Sequence, residues 1–160
     1  MGKEIKTNAM RKLDSMKIPY EKHEYASEQA LSGSEVAAVL GQDPKQVFKT
    51  LVTAGKSGQH YVFMVPVEEE LDLKKAALAV GEKSVAMVKS KELLPLTGYI
   101  HGGCSPIGMK KFFTTIVHST AENFDTILFS GGRIGLQVEL SLDSLKKVIS
   151  FTLSDIIQKS

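Results

Sequence analysis

The chain has no tryptophan and a single cysteine, Cys104. One cysteine excludes an internal disulfide, and a lone thiol suits a reducing cytoplasm. No apolar run approaches the roughly 20 residues of a membrane helix, so no membrane partner is expected. The N-terminus, MGKEIKTNAMRK, lacks the apolar centre of a signal peptide. The formal net charge is only +2. That excludes a polybasic protein and requires any nucleic-acid partner to meet a local positive surface. The histidines, His23, His60, His101 and His118, are scattered, with neither HExxH nor Cys/His zinc spacing. No metal is therefore expected. No Walker loop or dinucleotide fingerprint is present, and no cofactor is expected. Linkers, low-complexity tracts and repeats are also missing. These absences leave an intracellular enzyme or binding domain, read as one unit over 1–160.

What is present suits a globular core. Hydrophobic residues make up 42% and charged residues 24% of 160, ordinary values for such a domain. Met10, Leu13 and Met16 recur at helical spacing, predicting a helix over 7–17 that Pro19 ends. A short strand is expected over 20–25. Ser32 and Glu35 have capping-box spacing before a helix that Gly41 stops. Asp43-Pro44 predicts one short turn. Strands over 47–54 and 60–67 flank the turn Gly55-Lys56-Ser57-Gly58, giving a hairpin. Glu68 to Glu70 reads as a solvated loop. Asp72 caps a helix closed by Gly81, with Lys74 and Lys75 outside. A strand over 85–88 and a helix over 90–96 follow. Further strands are predicted over 114–117, 126–129 and 136–140, then a helix capped by Ser141 and a last helical turn over 154–157. Strands and helices mix without a regular βαβ beat. The expected fold class is α+β, with a mixed, mainly antiparallel sheet curled into an open barrel and flanked by helices.

Chemistry points to three stretches. In Val47-Phe48-Lys49-Thr50-Leu51-Val52-Thr53-Ala54, both alternating faces are largely apolar. Lys49 then sits among hydrocarbon, where an unpaired ammonium is costly. Either its stem carries the charge out at a sheet end, or it faces a pocket that wants a cation. The loop Gly98-Tyr-Ile-His-Gly-Gly-Cys-Ser-Pro-Ile-Gly108 and the turn Ser130-Gly-Gly-Arg-Ile-Gly135 are glycine-rich. Such turns can offer backbone N–H groups to a phosphate or an oxyanion, or can simply reverse the chain. Lys110-Lys111 and Arg133 abut these turns and would rim a pocket between them, suiting an RNA end. Cys104 reads as a small buried thiol rather than a nucleophile. Glu139 alternates with Val138 and Leu140 as an ordinary strand exterior.

Phe48-Lys49-Thr50-Leu51, Gly102-Gly103-Cys104-Ser105-Pro106-Ile107-Gly108 and Ser130-Gly131-Gly132 with Gly135-Leu136 occur in that order. Together they resemble the YbaK/EbsC family, freestanding relatives of the editing domain inserted in prolyl-tRNA synthetase. The resemblance runs nearly end to end. It implies a trans-editing deacylase that removes cysteine from Cys-tRNA(Pro), and also from Cys-tRNA(Cys) if no partner supplies tRNA selectivity. It further implies that the cysteinyl thiol of the substrate attacks its own ester, releasing a thiolactone. Aminoacyl-tRNA and prolyl-tRNA synthetase are the implied partners, in the cytoplasm. Lys49 matches the family's essential lysine and Tyr25 a pocket tyrosine. Thr50 and the backbone of Gly102, Gly103, Ser130, Gly131 and Gly132 would line the pocket, and Ser105-Pro106 would fix the loop. Some members carry an acidic residue where this chain has Gln137, which can be neither a general base nor an anionic anchor. The alternatives are an editing hydrolase for alanyl or seryl esters, or a tRNA-binding regulator without turnover.

Overall fold

The computed structural model describes residues 6–26 and 31–158. The predicted elements form with small shifts in their ends. Helix α1 spans Asn8–Ser15, where Thr7 accepts from the Met10 N–H. Lys17, at φ 57°, breaks it before Pro19 is reached. Strand β1 is Glu21–Glu24. Helix α2, Gly33–Leu40, carries the full capping box of Ser32 and Glu35 and stops at left-handed Gly41. The hairpin of β2 (Phe48–Gly55) and β3 (His60–Pro66) pairs Lys49 with Val65. Helix α3 is Leu73–Val80, capped by Asp72. Strand β4, Val85–Met87, and helix α4, Ser90–Thr97, lead into the glycine loop. Strands β5 (Thr114–His118), β6 (Ile127–Ser130) and β7 (Leu136–Leu140) precede helix α5, Leu142–Val148.

The strands divide into two sheets. One has the order β1-β7-β6, all antiparallel. The other has five strands, in the order β4-β2-β3-β5-β8, where β8 is Thr152–Ser154. In the second sheet β3–β5 and β5–β8 run parallel. A single parallel bridge, Val47–Leu128, joins the two. The expected curled sheet is thus two hydrogen-bonded sheets joined at this bridge, with β2 and β6 as neighbours across the join. Two buried layers result. Phe48, Met64, Phe129 and Val138 pack with α1 and α5. Tyr61, Phe63 and Val65 pack under α3 with Ile156.

The helical turn expected over 154–157 does not form. The backbone instead adds β8 to the sheet edge beside β5, and Ile157 bridges to Leu71. The apolar residues alternate there, so extended chain sends Leu153 into one core and Ile156 into the other. Lys75 also departs from expectation. It is half-buried, and its ammonium donates to the Ile157 carbonyl at 2.8 Å and reaches Asp155 at 3.1 Å.

His118 completes this clamp. It is 3% exposed, and its Nδ1 accepts from the Ile156 N–H at 3.2 Å. Burial lowers its pKa below the ordinary 6.5, outweighing Asp155 and Glu69, which raise it. The folded state therefore binds that proton less readily than the unfolded chain. Its stability contribution is complete above about pH 6.5 and is lost as pH falls toward the folded pKa. Melting temperatures followed from about pH 7.5 to about pH 5.5 are expected to decline, with a shallower decline for His118→Asn.

Candidate active site

The bridge between the sheets fixes which side chains share a face. Cross-strand partners point to the same side, and alternate residues along a strand do so too. Val47 opposite Leu128 therefore puts Lys49 on the same side as Ser130. Ser130 pairs with Gln137, and Gln137 with His23. Tyr25 follows two residues on, its N–H donating to the Gly135 carbonyl at 3.0 Å. Tyr25, Gln137, Ser130 and Lys49 thus stand on one face. Helix α2 covers the adjoining row, through Ala37 on Val47, Val67 and Leu128.

Lys49 is half-buried, its side chain 29% exposed. Its Nζ lies 3.6 Å from Glu70 Oε1, and the Glu70 side chain is 74% exposed. The carboxylate is held loosely, and an incoming anion can displace it. Lys49 is paired with Val65 in the hairpin, and its ammonium reaches the exposed Glu70 carboxylate.

Gln137 is 4% exposed, and its Oε1 accepts from Gln42 Nε2 at 2.7 Å. A carboxylate at this position would accept the same bond, so Gln42 serves either residue type. The Gln42 Oε1 atom is buried with no partner among the described residues. Sequence reading passed over Gln42 because it lies outside every motif.

The glycine stretches do meet. A Cβ on Gly103 would lie 3.0 Å from the Arg133 Cα and the Ile134 nitrogen, so only glycine allows this backbone approach. Gly132, at φ 107°, sits equally close to Thr7 and Tyr99. Most of their N–H groups are already committed. Gly103 donates to the Ile100 carbonyl, Gly131 to the Leu136 carbonyl and Gly132 to Ser130 Oγ. Gly102 makes no such bond among the described residues.

Other predicted residues stand apart. Thr50 is opposite Met64, on the α1 side of the sheet, and its hydroxyl is buried without a partner among the described residues. Ser105 is fully buried, with Oγ accepting from the Ile107 N–H at 3.3 Å. Pro106 and Lys111 line a separate cleft rather than the space beside Lys49. Cys104 packs with Val52, Val62, Leu93 and Tyr99. Burial pushes its thiol pKa up to about 12, which leaves almost no thiolate near neutral pH. Cys104→Ala is expected to keep near wild-type turnover and to cost about 1 kcal/mol of stability. Iodoacetamide inactivation kinetics and thermal melts check both.

One pair escaped the sequence. His23 Nε2 lies 2.8 Å from Glu139 Oε1, and Thr126 Oγ1 donates to Glu139 Oε2 at 2.5 Å. These hydrogen bonds hold the Glu139 carboxylate below its ordinary pKa despite the opposing effect of burial. Alternation alone had made Glu139 an exterior residue, since only the β1–β7 register reveals its partner. Glu21, His23 and Glu139 offer ligand atoms within 4.8 Å of one another, yet both Glu139 oxygens are already engaged.

A family model for the aminoacyl-tRNA editing domain matches residues 27–148. The chain belongs to the aminoacyl-tRNA editing domain family. It is 44% identical to EbsC of Enterococcus faecalis over 155 residues, 96% of this chain and 94% of that protein. That relative's name describes a candidate Cys-tRNA(Pro)/Cys-tRNA(Cys) deacylase. The editing fold is shared with the crystal structure of a candidate trans-editing enzyme for prolyl tRNA synthetase. The TM-score there is 0.83 at 21% identity, covering 98% of this chain and 100% of that one. A hypothetical protein of known structure gives 0.85 at 20% identity, covering 94% and 99%. The mixed, mainly antiparallel editing fold is therefore as expected. No described helix is long and apolar enough to cross a membrane.

Proposed function

We propose that the protein is a trans-editing deacylase that removes cysteine from mischarged Cys-tRNA(Pro), with Cys-tRNA(Cys) as a second substrate. The observation that carries this reading is Lys49, a half-buried cation on the face of Tyr25, Ser130 and Gln137, held among the described residues only by an exposed carboxylate. The whole chain acts as one editing unit in the cytoplasm, and prolyl-tRNA synthetase supplies the tRNA selectivity that a small pocket lacks.

The chemistry needs little from the protein. The substrate sulfur attacks its own ester carbonyl, forming a C–S bond. The C–O bond to the terminal ribose breaks, and the thiol proton passes to the leaving ribose oxygen. The products are a thiolactone and free tRNA. Lys49 stabilises the oxyanion that develops on the carbonyl, and Gly102 has the remaining uncommitted N–H of the glycine pairs. Tyr25 and Gln137 shape the space for the aminoacyl group. Ser130, Gly103, Gly131 and Gly132 hold the turns rigid, with Ser105 and Pro106 bracing the loop.

A second reading has one observation in its favour. The His23–Glu139 pair is a carboxylate-oriented imidazole beside Gln137. Such a pair can take a proton from water and so hydrolyse a thiol-free ester. A deacylation panel of Cys-, Ala- and Pro-charged tRNA(Pro), with Cys-tRNA(Cys), separates the two. Cysteine release from both tRNAs, with Ala- and Pro-tRNA(Pro) spared, is the expected result. Rapid loss of alanine would overturn the thiol-assisted account.

A further inference from the structure

Away from Lys49 lies a cleft of about 240 Å³, between α1, the end of the glycine loop and the chain after α5. Met109, Phe113 and Ile149 form the apolar part of its lining, and Lys12 and Lys111 line it too. Phe113 is fixed edge-to-face on the His60 ring, with centroids 5.9 Å apart. Its neighbour Phe112 is 62% exposed. Phe112, Lys12 and Lys111 line the same cleft, so an exposed ring and two cations lie together there.

The lysines here also lack counter-charges. Lys12, Lys110, Lys111, Lys146 and Lys147 make no ion pair among the described residues. Elsewhere on the surface Lys6 meets Asp14 and Lys75 meets Asp155. Of the first group, Lys12 and Lys111 line the cleft. Lys146 and Lys147 close the last turn of α5, just before Val148 and Ile149 enter the cleft wall.

From these observations we propose that the cleft is a second RNA-binding surface, taking an unpaired base upstream of the terminal nucleotide against Phe112. Lys12 and Lys111 would then meet the flanking phosphates. An exposed ring offers a stacking face to any base, and ammonium groups at its edge neutralise the backbone. The cleft is joined to the candidate active site by covalent chain. Pro106 and Gly108 line it, and Gly103, earlier in the same loop, abuts Arg133 of the second glycine turn. α1 makes a second link, since Thr7 Oγ1 donates to the Gly131 carbonyl at 2.5 Å and Lys12 lies further along the helix. An aminoacyl-tRNA can thus present its ester to Lys49 and a neighbouring part of the same strand to Phe112.

This inference rests on the reading that tRNA is the substrate, and its test reads binding apart from turnover. Binding of uncharged tRNA(Pro) is measured by fluorescence anisotropy across salt concentrations for wild type, Phe112→Ala and the double variant Lys12→Ala/Lys111→Ala. Turnover of a cysteine ethyl ester is measured in parallel. The double variant is expected to lower the slope of log K against log salt by roughly 1.5, the loss of about two phosphate contacts. Phe112→Ala is expected to weaken binding about tenfold with the slope unchanged. Ester turnover stays at the wild-type rate, since these side chains are remote from Lys49. All three residues are at the surface, and unchanged melting curves confirm folding. Wild-type affinity and slope in the variants, or no tRNA binding by the wild type, would overturn the second surface. In the first case deacylase activity can still stand. Loss of binding in the variants with no deacylation by the wild type would sink the enzyme reading and leave this surface intact.

Discussion

Lys49→Ala is expected to lower kcat/KM for Cys-tRNA(Pro) by about a hundred- to a thousandfold, the usual scale for loss of one preorganised oxyanion donor. Three of the four glycine N–H groups that might share this work are committed within their turns. The proposed mechanism therefore asks Lys49 to carry more of the transition-state charge than a pocket with open backbone donors would require. The fold should not suffer. The Lys49 side chain is 29% exposed, and its one ion pair among the described residues is to an exposed carboxylate, a type of contact worth little. Lys49→Arg is expected to recover only part of the rate, because a planar fork does not place its charge where a compact ammonium does. Single-turnover kinetics with thermal melts check this. Full activity in a well-folded Lys49→Ala protein would remove the lysine from the mechanism.

Removing the substrate's thiol is expected to be at least as damaging. Seryl- and S-methylcysteinyl-tRNA(Pro) should react about 10³-fold more slowly than Cys-tRNA(Pro), or worse, since an internal nucleophile has an effective concentration far above any external one. Among the described residues no thiol stands on the pocket face. Cys104, the chain's only thiol, is 6% exposed in the cluster with Val52 and Tyr99. Mass spectrometry of the cysteine product in the first seconds should find the thiolactone before water opens it. Comparable rates for serine and cysteine would shift the assignment to the His23–Glu139 pair.

Local elements were legible because local chemistry sets them. The Ser32–Glu35 capping box, the Asp72 cap, and the β2–β3 hairpin around Gly55 to Gly58 all form as their residue types require. Errors arose where the deciding contact is distant. The segment from Ser154 to Ile157 has no intrinsic preference strong enough to resist the open edges at β5 and Leu71. Lys75 looked solvated because Asp155 and the Ile157 carbonyl, its partners, lie far along the chain. The same holds at the site. Lys49 and the glycine stretches announce themselves by composition, but Gln42 and the His23–Glu139 pair exist only through register. Thr50 is a different case. The family resemblance put it in the pocket, while strand alternation, legible in the sequence itself, sets it on the other face from Lys49.

The two outermost strands have a practical meaning for anyone cutting this protein down. The family match covers 27–148, yet β1 ends at Glu24 and β8 begins at Thr152. A polypeptide trimmed to the matched stretch would keep Lys49 and both glycine turns. It would strip one border strand from each sheet, leaving the backbones of β7 and β5 bare. Unpaired borders of that kind recruit other chains. It would also lose Tyr25, His23 and the tail that fastens the Glu70 loop through the Gln158 N–H. Such a piece is expected to precipitate rather than to edit, so the smallest useful gene is set by strand partners and not by sequence similarity.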